Sequence, residues 1–441
     1  MRYAVRLLAG ALALIVTAGP ARAADEESSA ASAPASLSSA EAPSPEEGGV
    51  LNIVTWDSAL AETMKICVPS YREDEEGNAS IGGLPIRWTV ISDEGSGYED
   101  WLDATLPLNG TLAADDRADL VLLDADSLRK YCRSDLTEPL DGERGIVPDA
   151  FEDSYAFAAE AAEDETGRLK AAALELEPGA LIYRRDLAKR VLGSGEPETV
   201  QEAVKDFAAL KKTAEKAVAA GVPLFQTAEQ SFPVFSSARE SGWVKDETAE
   251  RPALEIPDTL KEWAETAALW RKAGALGESA LFQTEEPDAT AGGRTDGNEA
   301  AFGMVKGPSV WLKGGVWIAC AAGTDNPEAD AELIRTLTLD PDTLMARASG
   351  SGDFVNARGV METMAEGYRS TLCGGQNTRK LLTAQADALG SRKSAATVYD
   401  GMLDALFQEE MAPFIGGTAD YAACERSFRK RAGAQFPELQ S

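Results

Sequence analysis

From residue 50 onward the chain alternates short, nearly all-apolar runs with longer stretches whose apolar residues recur every three or four positions. Val50-Leu51-Asn52-Ile53-Val54-Thr55 reads as a buried strand, with a helix after it from Leu60 to Tyr71. Ile86 to Ile91 gives a second strand, followed by a helix from Gly97 to about Leu108. Asp119-Leu120-Val121-Leu122-Leu123-Asp124 gives a third. Strands separated by helices predict a mostly parallel sheet covered on both faces. Ligands bind beyond the carboxyl ends of such strands. Trp56, Asp57, Asp124 and Asp126 stand at two such ends. Each aspartate fits a helix N-cap or turn role equally well.

Further along, Pro197 fits the first position of a long helix carrying Val200, Val204, Phe207 and Leu210 on one face, with Gly221 past its end. Val222 to Phe225 reads as a strand. Asp258 opens a helix with Leu260, Trp263, Ala267 and Trp270 inward, stopped by Gly274. Trp243 sits in a Gly-containing loop, which makes it a candidate for a ligand face. Residues 307 to 326 place Trp311 and Trp317 around Gly314 and Gly315, ahead of an apolar run and a helix opened at Pro327. A glycine pair permits close backbone approach, and tryptophan offers flat apolar surface with one N–H donor. The stretch reads either as a ligand-facing turn or as a core strand with packing tryptophans. Trp317 suits the core, because Val316 to Ala319 reads as a buried strand. Helices near Thr397 to Met411 and Thr418 to Arg431 close the chain.

The first residues change the picture of where the protein works. Arg2 and Arg6, the apolar run Leu7 to Ala18 and Ala21-Arg22-Ala23 have the layout of a secretory signal peptide over 1–23. This leader contains no cysteine, so no lipoprotein attachment site is seen. Residues 24–49 are rich in Ala, Ser, Pro and Glu, with six acidic and no basic residues, and read as a disordered spacer. A chain of 441 residues predicts two lobes rather than one core, and 44% apolar content is enough to fill them. A net charge of −31 argues against nucleic acid and anionic membrane as partners. The five cysteines have no metal-ligand spacing, and both disulfides and buried thiols stay open. Histidine is absent, which removes Ser-His-Asp and Cys-His catalysis and histidine zinc sites.

Several local patterns resemble family 1 extracellular solute-binding proteins, the maltose-binding-protein-like capture subunits of ABC importers for carbohydrates. The Trp311 to Trp317 stretch resembles their Gly-Gly-Thr-Trp segment. Tyr183, Arg184, Arg185, Leu187, Ala188, Lys189, Leu192 and Gly193 resemble a Tyr-Arg-Arg-x-Leu-Ala-Lys-x-Leu-Gly pattern, with one residue more between Lys189 and Leu192. Ser237-Ala238-Arg239-Glu240-Ser241 before Trp243, Gly352-Asp353-Phe354-Val355-Asn356 and Gly374-Gly375-Gln376-Asn377 are similar to further family segments. Residues 284–301 depart from the pattern, being polar, Gly-rich and shortened where the family has an aromatic wall.

The resemblance implies an α/β, two-lobed periplasmic-binding-protein-like fold of type II. Each lobe would be a mostly parallel sheet flanked by helices, and the lobes would be discontinuous and hinged. It places 50–173 and 306–348 in lobe 1 and 174–305 and 349–441 in lobe 2, with crossings near Leu174 to Pro178, Gly303 to Gly307 and Ala348 to Gly352. It implies capture of a carbohydrate between the lobes. Trp56, Trp243 and Trp311 would stack on the sugar, Asp57 and Asp124 would accept from its hydroxyls, and Gly314, Gly315 and Trp317 would line the same loop. The implied partners are a mono- or oligosaccharide and ABC permease subunits. The implied protein is an exported, periplasmic or cell-surface monomer with no enzyme activity, cofactor or metal. Two other readings stand beside this one: a glycoside hydrolase working with carboxylates alone, and a surface or scaffold protein whose ancestral cleft no longer takes sugar. The mature chain is expected to begin near Ala24, and the intact mass of the exported protein measures this directly.

Overall fold

The computed structural model describes residues 48–92, 97–244, 249, 251–285, 301–390 and 397–440. The leader, nearly all of the spacer and residues 286–300 of the shortened segment lie outside these. Eleven strands are found among the described residues. They are β1 (Leu51–Thr55), β2 (Tyr71–Glu73), β3 (Ala79–Ile81), β4 (Leu84–Val90), β5 (Leu120–Asp124), β6 (Thr137–Glu138), β7 (Ala171–Pro178), β8 (Leu181–Arg184), β9 (Phe282–Gln283), β10 (Phe302–Val305) and β11 (Leu312–Ala321). One sheet has the order β2-β3-β4-β1-β5-β11-β6, with β7 also paired to β11. A second, smaller sheet has the order β10-β8-β9.

The apolar runs behave as their composition dictates. β1 is buried along its whole length and lies parallel to both β4 and β5. β11 then runs antiparallel to β5, pairing Val316 with Asp124 and Cys320 with Leu120. The helix after β1 covers only Ala59–Cys67, shorter than its apolar spacing suggests. Pro69 explains the stop: it disfavours helical geometry at Val68, which is extended at φ −101°, ψ 105°. The chain turns instead into the β2–β3–β4 meander, which the periodicity does not reveal. The expected long helix from Pro197 is likewise two, Pro197–Ala203 and Phe207–Ala219. Asp206 breaks it by taking extended geometry and accepting a hydrogen bond from Ala209 N at 2.7 Å, a cap that starts the second helix. Val222 to Phe225 forms no strand beyond an isolated bridge from Phe225 to Leu276.

Two separate hydrophobic cores result. The first gathers Leu51, Ile53, Leu120 to Leu123, Ala171 to Leu174, Trp317 to Ala321 and Leu333, and the second Tyr183, Leu210, Phe235, Trp243, Trp263, Phe407 and Phe428. The chain passes from the first to the second between β7 and β8, and returns between β10 and β11. This traffic corrects one expectation: the second sheet is antiparallel, not parallel. β8 leads away from the first core and β10 leads back to it, so the two strands must run in opposite directions. Residues after 349 are divided between the two cores. Phe354, Val355, Met361 and Ala386 join the first core, and the chain reaches the second only by Leu403. The helix Thr378–Gly390 straddles the two, with Leu382 touching both the first core and a small cluster on β8 and β10.

The motifs behind the resemblance hold the framework together. Tyr183 donates to Gly195 O at 2.9 Å, and Arg185 donates to Phe302 O at 2.8 Å, Gly195 O at 3.1 Å and Cys373 O at 3.2 Å. Gln376 satisfies the edge of β10 through Met304, accepting from its N–H at 3.0 Å and donating to its carbonyl. Asp353 takes the buried Arg347 guanidinium in two bonds of 2.9 and 3.2 Å, and Asn356 accepts from Tyr155 N at 3.0 Å. All five cysteines are buried and none is in a disulfide, which resolves the open question in favour of thiols. Among the described residues no helix is long and apolar enough to cross a membrane. Trp317 is fully buried in the first core and donates to Ala158 O at 3.1 Å. Trp317→Ala should cost about 3–5 kcal/mol, read as a lower urea midpoint with little change in slope.

Candidate functional site

The carboxyl ends of β1 and β5 lie side by side because the strands are adjacent and parallel. β7 shares that edge, and so does the start of β11, which runs antiparallel to both β5 and β7. Trp56, Asp57, Asp124, Asp126, Glu177 and Lys313 are therefore brought to one edge of the first sheet. Trp56 is half-buried and meets Tyr98 edge-on, with ring centroids 5.3 Å apart. Tyr98 is itself fixed, its hydroxyl bonding Val54 O at 3.1 Å and Leu122 O at 2.8 Å. Asp57 remains half-exposed and accepts from Ala59 N at 2.8 Å. Asp124 spends one oxygen on a turn, accepting from Ser127 N at 2.8 Å and Ser127 Oγ at 2.6 Å. Its turn role is thus real, and one oxygen is already committed.

The other expected platforms are placed elsewhere. Trp243 is fully buried in the second core, packed on Phe407 and Phe428 with centroids 5.2 and 5.0 Å away. Its indole N–H donates to Asp404 at 2.7 Å, which explains how a tryptophan can be buried there. Trp311 is also buried, wedged where the chain crosses between cores. A Cβ on Gly179 or on Gly307 would collide with its ring, so these two glycines make its seat. Gly314 and Gly315 are not in an open loop; they lie buried within β11, opposite Glu177 and Leu176. A Cβ at Gly315 would stand 2.8 Å from both Glu175 O and the Trp317 ring, so the close approach these glycines serve is that of β7 and the core. Trp317 is core. Of the eight expected site residues, Trp56, Asp57 and Asp124 are the ones that share the strand-end edge with side chains only partly buried.

The second core contributes charge that the sequence reading passed over. Arg239 binds Asp400 and Asp404, each at 2.8 Å, and only 14% of its side chain is exposed. Burial opposes its charge, yet Asp404, Asp400 and Asp126 of the first sheet outweigh burial and keep its pKa raised. The signal was present as Asp400 and Asp404 one helical turn apart and Arg239 three residues before Gly242, but nothing in the spacing says these segments meet. Lys313 is handled similarly: burial works against its charge, and ion pairs to Glu177 at 3.0 Å and Glu285 at 3.1 Å more than restore it. The arrangement offers an aromatic face, carboxylates and fixed cations suited to hydrogen bonding a polar solute. Among the described residues no group of three Cys, Asp or Glu could hold a metal ion.

The profile of the bacterial extracellular solute-binding protein family matches residues 89–366, well over half of the chain. The chain belongs to that family. Its members are binding proteins rather than enzymes, and the family is extracellular. Solved structures share the two-lobed, type II periplasmic-binding-protein-like fold. An extracellular solute-binding protein of family 1 superposes with a TM-score of 0.66 at 16% identity, covering 87% of this chain and 99% of that one. The ABC-transporter-associated binding protein of B. animalis subsp. lactis Bl-04, in complex with β-1,6-galactobiose, gives 0.63 at 13% identity over 89% and 100%. The galacto-N-biose/lacto-N-biose I-binding protein of Bifidobacterium longum, in complex with lacto-N-biose, gives 0.63 at 14% over 90% and 100%. No curated protein matches the sequence.

Asp404 provides a pH test of the charged cluster. Burial, partly offset by Arg239, pushes its carboxyl up to about 6, above the ~3.9 of an unfolded aspartate. The native state then holds this proton more tightly, so its contribution to stability is full below pH ~4 and is lost as pH rises through about 6. Asp404→Asn should flatten the fall in unfolding free energy between pH 4.5 and 7.5. Urea titrations at the two pH values measure it, and an unchanged fall would place the proton elsewhere.

Proposed function

We propose that this solute-binding protein captures a carbohydrate between its two lobes and delivers it to the permease of an ABC importer. The observation that carries the reading is the half-exposed Trp56 beside Asp57, at the end of β1 and next to the end of β5. A flat apolar face beside a carboxylate is what recognition of a pyranose asks for, since the ring presents C–H faces and paired hydroxyls. The sugars bound by structural relatives, β-1,6-galactobiose and lacto-N-biose among them, support the same class. In this reading lobe 1 is built on the first core and lobe 2 on the second, and residues 349–390 travel with lobe 1 or its hinge rather than with lobe 2. The chain works as an exported monomer.

One observation favours the second reading, a surface or scaffold protein with a degenerate cleft. Trp243, Trp311 and Trp317 are all buried, so of the four expected tryptophans Trp56 keeps an accessible face. Calorimetric titration of the full chain with mono- and oligosaccharides, β-1,6-galactobiose and lacto-N-biose included, separates the two. Sugar capture predicts measurable heat with at least one of them. Trp56→Ala should then weaken binding by on the order of 1–3 kcal/mol, with only a small fall in melting midpoint from its lost contact with Tyr98. Trp311→Ala, by contrast, should lower the melting midpoint, because its ring fills the crossing. No heat with any sugar would favour the scaffold.

A further inference from the structure

Glycine at 401 has no local reason to be there. It lies in the first turn of the helix Asp400–Ile415, whose Leu403, Leu406 and Phe407 pack in the second core. Its φ is outside the left-handed region, so any residue could adopt its backbone, and alanine would favour the helix. What forbids a side chain is the first lobe. A Cβ built at 401 would collide with the carbonyl oxygen of Asp126 and stand 2.9 Å from both its carbonyl carbon and its Cβ. The obstacle is backbone, which cannot swing aside as a side chain would.

Both sides of this contact are rigid. The turn that carries Asp126 is closed by the two bonds from Ser127 to Asp124. The first turn of the opposing helix is held by Arg239 on Asp400 and Asp404, and by Thr397 Oγ1 on Asp400. The same Asp126 adds its charge to those around Arg239, so attraction and steric stop coincide. We infer that Gly401 and the Asp126 backbone form the stop at which the lobes meet, and that the absence of a side chain at 401 sets how far they close. This deepens the reading of the chain as a two-lobed capture protein and names the residue that limits the closed state.

The test needs no sugar. In the full chain, Glu75→Cys and Lys212→Cys place spin labels on exposed sites of the first and second lobes, and the native thiols, all buried, stay unlabelled. Pulsed dipolar spectroscopy then reads the separation of the lobes. Gly401→Ala should shift the distribution to longer distance and Gly401→Val should shift it further, with melting midpoints no lower than the parent's for Gly401→Ala. Asp126→Asn, which keeps the carbonyl and removes the charge facing Arg239, should give a smaller shift. Distributions unchanged in both Gly401 variants would overturn the inference. So would a lower midpoint for Gly401→Ala, because the glycine would then serve the second core. A failed sugar titration would leave these distances unaffected, so the two proposals fail separately.

Discussion

The pairing of β11 with both β5 and β7 is the constraint on which the rest depends. This strand is the return path of the chain from the second core, and it enters the first sheet between strands already placed there. Two irregularities in its register with β7, between Leu312 and Gly314 and between Val316 and Trp317, let it serve both crossing and core. At the first, Lys313 reaches Glu177 and Glu285. Beyond the second, Trp317 to Ala321 are fully buried. Gly315 tolerates no side chain because β7 lies against it. Displacing this strand would move the strand-end edge and the crossing together.

The crossing is stiffened by packing rather than by ion pairs alone. Trp311 sits on Gly179 and Gly307, and Gly179 N donates to Trp311 O at 2.8 Å. Gln385 donates to Gly179 O at 3.0 Å from the helix that straddles the cores. A large ring between two glycines resists shear at that point, since close-packed interiors have discrete arrangements and little compressibility. The exposed partner of Lys313, Glu285, adds little by comparison.

Beside the second core the balance of charge differs from that of the surface. A strongly acidic chain buries an arginine among Asp400, Asp404 and Asp126. Burying Asp404 costs desolvation, which Arg239 and the Trp243 N–H only partly offset, as its raised pKa reports. The cluster positions Trp243, and with it the aromatic packing on Phe407 and Phe428. A tryptophan that resembles a sugar platform in the sequence is thus a core residue with a polar handle.

The sequence by itself determined the strands β1 and β5, the helices opened by Pro327 and stopped by Gly274, and the edge where Trp56, Asp57 and Asp124 stand. Runs of apolar residues, proline and glycine act through local geometry, so they are legible in one dimension. Its matched motifs also pointed to the family, and Tyr183, Arg185, Asn356 and Gln376 among them hold backbone in place. Tertiary structure alone decided which tryptophans are buried, because a ring beside a glycine pair reads the same whether a sugar or a strand lies over it. It also decided the antiparallel second sheet and the allegiance of residues 354–386, which follow from where the chain must cross and return. Arg239, Asp126 and Gly401 meet only in three dimensions: they come from segments over a hundred residues apart, and no local pattern records that the lobes bring them together.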